Sequence, residues 1–157
     1  MENKLEKGEQ YFGYKENVDF AWFSDFVKQT PQYFESCTGM PQFTRHDVEA
    51  TSTISKKVWS IELKERDKWY STWYIEPDKL QHLFDEATRL GRRAFYFNKC
   101  GDKIYIFNTD RIGEYNPQIV NVKIWNKGKE IYEVVDRYVL PNYISTVYNL
   151  KTKQIEL

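Results

Sequence analysis

Three side chains near the middle of the chain have the types and spacing of a metal-assisted reaction centre: Asp47, Glu62 and Lys64. Residues 59–64 alternate apolar and polar types (Trp-Ser-Ile-Glu-Leu-Lys), which predicts a half-buried β-strand. Successive side chains of a strand point to opposite faces. Glu62 and Lys64 are therefore expected on one face, opposite the apolar residues, and Asp47 lies about one strand length upstream.

If the segment around Asp47 pairs with this strand, its carboxylate and that of Glu62 converge. Two carboxylates, with waters and a substrate oxygen, suit Mg²⁺, or Mn²⁺ in its place. The peptide carbonyl of Leu63 is a further candidate ligand. Lys64 is then placed either to orient the attacking water or to stabilise negative charge that develops on a phosphate. The simpler interpretation is an exposed ion pair between Glu62 and Lys64, which would contribute little stability.

The elements that must position these residues follow from periodicity and from turn residues. Apolar residues at helical spacing predict two helices, and the second has Pro at its start and Gly beyond its end. Residues 38–41 are predicted as a turn, 66–71 as a loop, and 99–102 as the turn of a hairpin. The predicted helices are 16–28 and 77–90, and the predicted strands are 43–52, 58–65, 93–98, 103–108, 119–125 and 130–135.

A strand at 58–65, a helix at 77–90 and a strand at 93–98 form a βαβ crossover, which requires parallel pairing. We therefore expect an α/β protein with one domain over residues 1–157 and a central mixed β-sheet flanked by helices. Its core, at about 16–108, has the order αββαββ. Residues 119–157 are a β-rich C-terminal addition with an extra hairpin, whose tail is expected to add an edge strand.

Asp47 followed by Glu62-Leu63-Lys64 on this element order resembles the PD-(D/E)xK nuclease superfamily, the restriction-endonuclease-like fold. The resemblance covers about 16–108. It implies a Mg²⁺-dependent nuclease that hydrolyses phosphodiester bonds of DNA, or of RNA, through a metal-activated water. It assigns metal binding to Asp47, Glu62 and the Leu63 carbonyl, and catalysis to Asp47, Glu62 and Lys64. Many nucleases of this fold act as dimers, so a homodimer is a possible assembly.

Other residues are candidates for accessory roles. The resemblance places an acid on the first helix, for which Glu16 is the first choice. Glu49 is either a further ligand or a solvated strand residue, and His46 either assists proton transfer or is structural. Lys79, at the start of the second helix, either contacts a phosphate or is a surface charge. The candidate phosphate contacts near the site are Arg45, Arg66 and Lys68.

Composition bounds the possible partners. The 157 residues carry 23 basic and 23 acidic side chains, so the formal net charge is zero. A nucleic acid must therefore be bound by a local basic patch. Cys37 and Cys100 lack metal-binding spacing, and no apolar run is long enough to cross a membrane. The charged first ten residues do not have the pattern of a signal peptide, so a cytoplasmic location is expected.

Two other functions compete with the nuclease. A catalytically inactive nuclease-like scaffold would bind a protein or a nucleic acid through its aromatic C-terminal part, because aromatic residues mark interfaces. A nucleophilic enzyme that uses Cys37 or Cys100 lacks a convincing histidine partner. Metal binding and cleavage separate the first alternative from the nuclease.

Overall fold

The computed structural model describes residues 19–40, 46–69 and 72–156. Helix α1 is described over residues 19–29. The elements that follow are β1 (Phe34–Gly39), β2 (Val48–Ser52), β3 (Val58–Arg66), β4 (Thr72–Ile75), α2 (Pro77–Arg89), β5 (Arg93–Cys100), β6 (Lys103–Asn108), α3 (Thr109–Tyr115), β7 (Ile119–Asn126), β8 (Ile131–Pro141), a 3-10 turn (Asn142–Ile144), β9 (Thr146–Asn149) and β10 (Gln154–Glu156).

The main sheet has seven strands in the order β1-β2-β3-β5-β6-β9-β10. Strands β3 and β5 pair in parallel, with α2 between them in the chain, and the other neighbours in the main sheet pair antiparallel. The predicted α/β class, mixed sheet and βαβ crossover are therefore confirmed. Strands β9 and β10 extend the sheet beyond β6, as expected for the tail.

Each face of the main sheet is covered by different elements. On one face, Phe23 and Phe26 of α1 pack around Phe97, with ring centroids 5.5 and 6.1 Å away. On the other face, Leu83 and Ala87 of α2 form a buried cluster with Ala94, and α3 packs nearby. Strand β3 is thus buried on both faces, where the sequence pattern had indicated burial on one.

Strands β4, β8 and β7 form a second, three-stranded antiparallel sheet. Trp73 of β4 and Leu140 of β8 share a buried cluster with Tyr96 and Phe107 of the main sheet. The hairpin predicted at 119–135 is confirmed, and its strand β8 pairs with β4 in this second sheet. The alternation in β7 and β8 was visible in the sequence, whereas the partner strand depends on long-range packing.

Several local predictions were wrong. Residues 38 and 39 belong to strand β1, because the antiparallel ladder with β2 pairs Thr38 with Glu49 and Gly39 with Val48. Arg66 belongs to β3 and not to the loop, and residues 99 and 100 extend β5. Helix α3 was not predicted, because seven residues are too few for a clear helical period. Its start is capped by the Asn108 side chain, which accepts a hydrogen bond of 2.9 Å from the Asp110 N–H.

Helix α2 begins and ends where its sequence signals indicate. Pro77 occupies its first turn. Gly91 has φ of +66°, and the Gly91 and Arg92 N–H groups donate to the carbonyls of Thr88 and Ala87 at 3.1 and 2.7 Å. This is a Schellman cap, for which Gly is favoured because it tolerates positive φ. The first turn of the helix contacts β3 through Lys79 and Glu62. The cap at its other end places Arg92 next to Glu49 of β2.

Candidate active site

Asp47 lies directly before β2 and is held against β3 by two hydrogen bonds. Its N–H donates to the Ile61 carbonyl at 2.9 Å, and its carboxylate oxygen Oδ2 accepts from the Leu63 N–H at 2.8 Å. The ladder between β2 and β3 begins at the next pair, Val48 with Ile61. Asp47 therefore occupies the point where the pairing ends and β3 continues alone on that side.

This end of the ladder also determines where the Leu63 carbonyl points. In an extended strand the N–H and C=O groups of one residue lie on the same edge. Because the Leu63 N–H faces Asp47, the Leu63 carbonyl faces that side too, beyond the last pair of the ladder with β2. The Leu63 side chain is buried in the core, so only its backbone is available at the site.

Glu62 is a buried carboxylate next to Asp47, with only 4% of the residue exposed. Burial and, next in size, the nearby Asp47 carboxylate raise the pKa of Glu62 to about 7, against the opposing effects of Lys79 and Lys64. The Lys79 Nζ lies 2.7 Å from Glu62 Oε1. Burial alone would lower the pKa of Lys79, but the Glu62 carboxylate reverses this, so that pKa is raised.

The sequence had left open whether Lys79 is a surface charge or lies at the site. The structure places it at the site, in contact with Glu62. It stands in the first turn of α2, which packs over the face of β3 that carries Glu62. The unusual pKa of Glu62 is a signature of functional sites, where burial and neighbouring charges shift ionisation. An additional cation beside this buried carboxylate would stabilise its ionised form.

Lys64 lines a cavity of about 200 Å³ beside Glu62, which we call the basic cavity. Four of its lining residues are cationic, and they come from both sheets and from α2. The apolar part of its wall comes from β4 and β7, which contribute Ile75, Val122 and Ile124. The residues that define the basic cavity are Lys64, Arg66, Lys79, Arg137, Val122 and Ile124.

Glu49 and His46 form a separate cluster on the neighbouring strand. The His46 Nε2 lies 3.2 Å from Glu49 Oε1, and the same oxygen forms an ion pair with Arg92. Glu49 is thus bonded to two partners instead of being a solvated strand residue. His46 is buried, with 3% exposed, and its contact is with Glu49.

The remaining predicted residues are placed as follows. Arg66, at the end of β3, lines the basic cavity, whereas Lys68 is exposed in the loop after β3. Glu16 and Arg45 lie outside the described residues. Sequence reasoning missed Arg92 and Arg137, and only the cap after α2 and the pairing of β8 bring them near the site. Neither residue stands in a motif that could have identified it.

The donor set fits a hard divalent cation that keeps several waters. Within residues 19–40, 46–69 and 72–156, no group of three or more His, Cys, Asp or Glu side chains is placed to hold a metal. Asp47 and Glu62 would supply two carboxylates, and Mg²⁺ is usually bound through one or two; the Leu63 carbonyl would be a further oxygen donor. The mutual repulsion of the two carboxylates gives such a cation a specific electrostatic role.

No helix in the described part of the chain is long and apolar enough to cross a membrane. No protein-family model matches the chain, and no curated protein matches it.

Among solved structures, the chain is similar to Hjc from Archaeoglobus fulgidus, a Holliday junction resolvase from an archaeal hyperthermophile. The match covers 83% of this chain and 86% of that chain, at 14% sequence identity and a TM-score of 0.53. At this identity the likeness concerns the fold alone. The chain therefore has the restriction-endonuclease-like fold that the sequence predicted.

Proposed function

We propose that the protein is a divalent-metal-dependent nuclease that hydrolyses phosphodiester bonds, with DNA as the first candidate substrate and RNA as the second. The observation that carries the proposal is the pair of carboxylates where the β2–β3 ladder ends. Asp47 bonds the backbone of Leu63 at 2.8 Å, and Glu62 lies beside it with Lys64 on the same face of β3. The similar fold of a Holliday junction resolvase supports DNA as the substrate.

The metal would be Mg²⁺ or Mn²⁺, held by Asp47, Glu62 and the Leu63 carbonyl. When bound, it supplies neutralisation of phosphate charge and activation of the attacking water. The hydrogen bond from Leu63 fixes the Asp47 carboxylate against β3, so one ligand is preorganised before binding. A bound metal would favour the ionised form of Glu62, whose pKa is raised to about 7, chiefly by burial.

The cations of the site have distinct roles. Lys64 stands on the face of β3 that carries Glu62 and stabilises negative charge on the phosphate as it is attacked. Lys79 neutralises Glu62 through its ion pair of 2.7 Å when no metal is present. Lys79 would be able to contact the substrate phosphate in a protein whose Glu62 holds a metal.

A cleavage assay tests the proposal. The protein is incubated with Mg²⁺ or Mn²⁺ and with single-stranded DNA, double-stranded DNA or RNA. Cleavage is expected with metal and not with EDTA. It is expected to be lost in Glu62→Gln and in Lys64→Ala, both of which preserve the strand.

The chain offers matched controls for these variants. Glu65 lies on the same strand as Glu62 but on the opposite face, where it pairs with Lys99 at 3.3 Å, so Glu65→Gln should cleave normally. Lys57→Ala changes an exposed lysine before the same strand. Cleavage undiminished in Glu62→Gln, or no cleavage of any substrate by folded protein with either metal, would refute the proposal.

A second candidate is a binding scaffold that holds a protein or nucleic acid without cutting it. The outer face of the β7–β8 hairpin favours it, because Trp125, Tyr132 and Val134 are 48%, 63% and 70% exposed. The rings of Trp125 and Tyr132 pack against each other at 4.9 Å. Absence of metal binding together with a stable complex with one defined partner would favour this candidate. A homodimer stays a prediction under either function.

A further inference from the structure

The lining of the basic cavity is positively charged, although the chain as a whole has a formal net charge of zero. It is lined by Lys64, Arg66, Lys79 and Arg137, and Glu76 is the acidic residue among its lining residues. Phosphate oxygens are the natural partners of several cations that converge from different elements. The cavity shares Lys64 and Lys79 with the candidate active site, so a ligand bound there lies next to Glu62.

Part of this cavity is built by the second sheet. Arg137 belongs to β8, and Val122 and Ile124 belong to β7. Strand β7 alternates exposed and half-buried residues, and both apolar side chains are at its half-buried positions. The C-terminal addition thus supplies one cation and two apolar side chains of the cavity wall. Strands β2 and β3 do not provide these groups.

The size of the basic cavity limits what can enter it. Its volume is about 200 Å³, the volume of roughly seven water molecules at about 30 Å³ each. That is below the range of about 300–1,000 Å³ typical of drug-sized ligands. A phosphate with its sugar, and part of one base, fits this space, whereas a base pair does not.

The lining also distinguishes a nucleotide from a bare phosphate. A bare phosphate needs only cations and N–H donors, yet Val122, Ile124 and Ile75 contribute an apolar wall. An apolar wall with a few convergent polar groups is the usual composition of a site for an organic ligand. Tyr74, which is 39% exposed, adds an aromatic ring at the same cavity, and aromatic rings stack on unpaired bases.

We propose that the basic cavity binds one unpaired nucleotide of the substrate strand, adjacent to the phosphodiester that is cut. Arg137 and Arg66 bind its phosphate, and Val122, Ile124 and Tyr74 contact its sugar and base. The adjacency to the cut rests on the proposed nuclease function; the nucleotide site itself does not.

The two arginines are held differently, which gives them different parts in binding. Burial raises the pKa of Tyr96 to about 12 and the nearby Arg66 guanidinium opposes this rise, so Arg66 already has a buried partner in the cavity wall. The Arg137 Nη2 lies 3.8 Å from Glu76 Oε1, a contact too long for a hydrogen bond. The Arg137 Nη1 donates a hydrogen bond to the Asp136 carbonyl at 2.8 Å, so Nη2 is the nitrogen that can turn to a phosphate without the loss of a hydrogen bond.

The direct test is binding of thymidine 5′-monophosphate in metal-free buffer, followed by NMR chemical shifts or calorimetry. The wild type is compared with Arg137→Gln, and affinity is expected to fall about tenfold because a charge-assisted hydrogen bond is lost. Arg137→Lys, which keeps the charge, should recover part of it. Thermal melting of each variant establishes that it is folded.

Arg93→Gln is the matched control. It removes one exposed arginine from β5 at the opposite end of the sheet, where Arg93 pairs with Trp59 while Arg66 pairs with Cys100. At about 3.3 Å per residue the two ends are roughly 20 Å apart. Equal weakening in Arg93→Gln and Arg137→Gln would overturn the site, because it would show only general charge attraction.

Ligand comparison tests the nucleotide assignment. Thymidine 5′-monophosphate should bind more tightly than inorganic phosphate and than thymidine, since each of these lacks one half of the ligand. Inorganic phosphate binding as tightly as the nucleotide would overturn the role of the apolar wall. No binding of the nucleotide by folded wild type would overturn the proposal altogether.

Cleavage kinetics then separate this inference from the proposed function. With single-stranded DNA and Mg²⁺, Arg137→Gln should raise KM about tenfold and leave kcat nearly unchanged, as expected for a residue that binds the substrate equally in the ground state and the transition state. Normal cleavage by Arg137→Gln, with no nucleotide binding, would overturn the cavity site and leave the nuclease standing. Arg137-dependent nucleotide binding without any cleavage would refute the nuclease and keep the binding site.

Discussion

The raised pKa of Glu62 predicts an unusual dependence of stability on pH. A carboxyl group whose pKa is higher in the folded than in the unfolded state binds its proton more tightly when folded. Its contribution to stability is therefore complete below the unfolded pKa and is lost as the pH rises through the folded pKa. For Glu62 this window extends from about 4.5 to about 7.

The size of the effect follows from the same two values. A difference of one pKa unit is worth about 1.4 kcal/mol, so a rise from 4.5 to about 7 corresponds to about 3 kcal/mol. Glu62 is 4% exposed, so solvent screening does not reduce this figure as it would for a surface group. The value already includes the attraction of Lys79, which lowers the pKa of Glu62.

The perturbation is Glu62→Gln, which replaces the carboxyl by an amide of nearly the same shape. The amide oxygen can still accept a hydrogen bond from Lys79, so the ion pair becomes a hydrogen bond. At pH 4.5 the wild type and the variant should therefore have similar free energies of unfolding. At pH 8 the variant should be more stable by about 3 kcal/mol, because the wild type must then keep an ionised carboxylate buried.

The assay is urea denaturation of both proteins between pH 4.5 and pH 8, in EDTA and again in Mg²⁺. The difference between the two proteins isolates Glu62 from all other titrating groups. Mg²⁺ should reduce the difference at pH 8, because a cation bound by the site favours the ionised form. Glu65→Gln, with its side chain 40% exposed in an ion pair with Lys99, should show no such growth of stability with pH.

A difference between wild type and Glu62→Gln that stays constant over this pH range would refute the reasoning. So would a variant that becomes less stable relative to the wild type as the pH rises. The first result would mean that the Lys79 ion pair balances the cost of burying the Glu62 carboxylate, and the second would mean that it outweighs this cost.

Three further predictions concern the framework of the site. Asp47→Asn should keep the hydrogen bond from the Leu63 N–H and most of the stability, but it should lose Mg²⁺-dependent stabilisation in thermal melts. Asp47→Ala should also reduce the free energy of unfolding by about 1–3 kcal/mol in urea denaturation. Equal effects of the two variants would contradict the role of that hydrogen bond. Gly91→Ala should destabilise the protein by about 1 kcal/mol, because the φ of Gly91 is +66°. Gly113→Ala, inside α3 with open space around the added methyl group, should be neutral or stabilising. The opposite order of the two variants in thermal melts would contradict the cap. Phe97→Ala should cost about 3–5 kcal/mol, because its ring is fully buried between β5 and α1; a loss below about 1 kcal/mol in urea denaturation would show that the aromatic core relaxes around the cavity.

Local sequence determined the elements that carry the chemistry. The alternation through 59–64 identified strand β3 and put Glu62 and Lys64 on one face, since the two-residue period of a strand is visible without tertiary information. Pro77 and Gly91 marked the two ends of α2 for the same reason, because each acts on the backbone of its own turn. These features agree with the structure because they depend on neighbours in the chain.

Tertiary structure alone decided what covers those elements. Periodicity showed that one face of β3 is apolar, but it could not show that α2 covers the other face and brings Lys79 within 2.7 Å of Glu62. The engagement of Glu49 by Arg92 depends on the cap after α2, and the approach of Arg137 to Lys64 depends on β8 pairing with β4. Residues 38 and 39 are strand because β2 pairs with them. Such contacts join segments distant in sequence, and their energy comes from burial and register, which a local pattern does not encode.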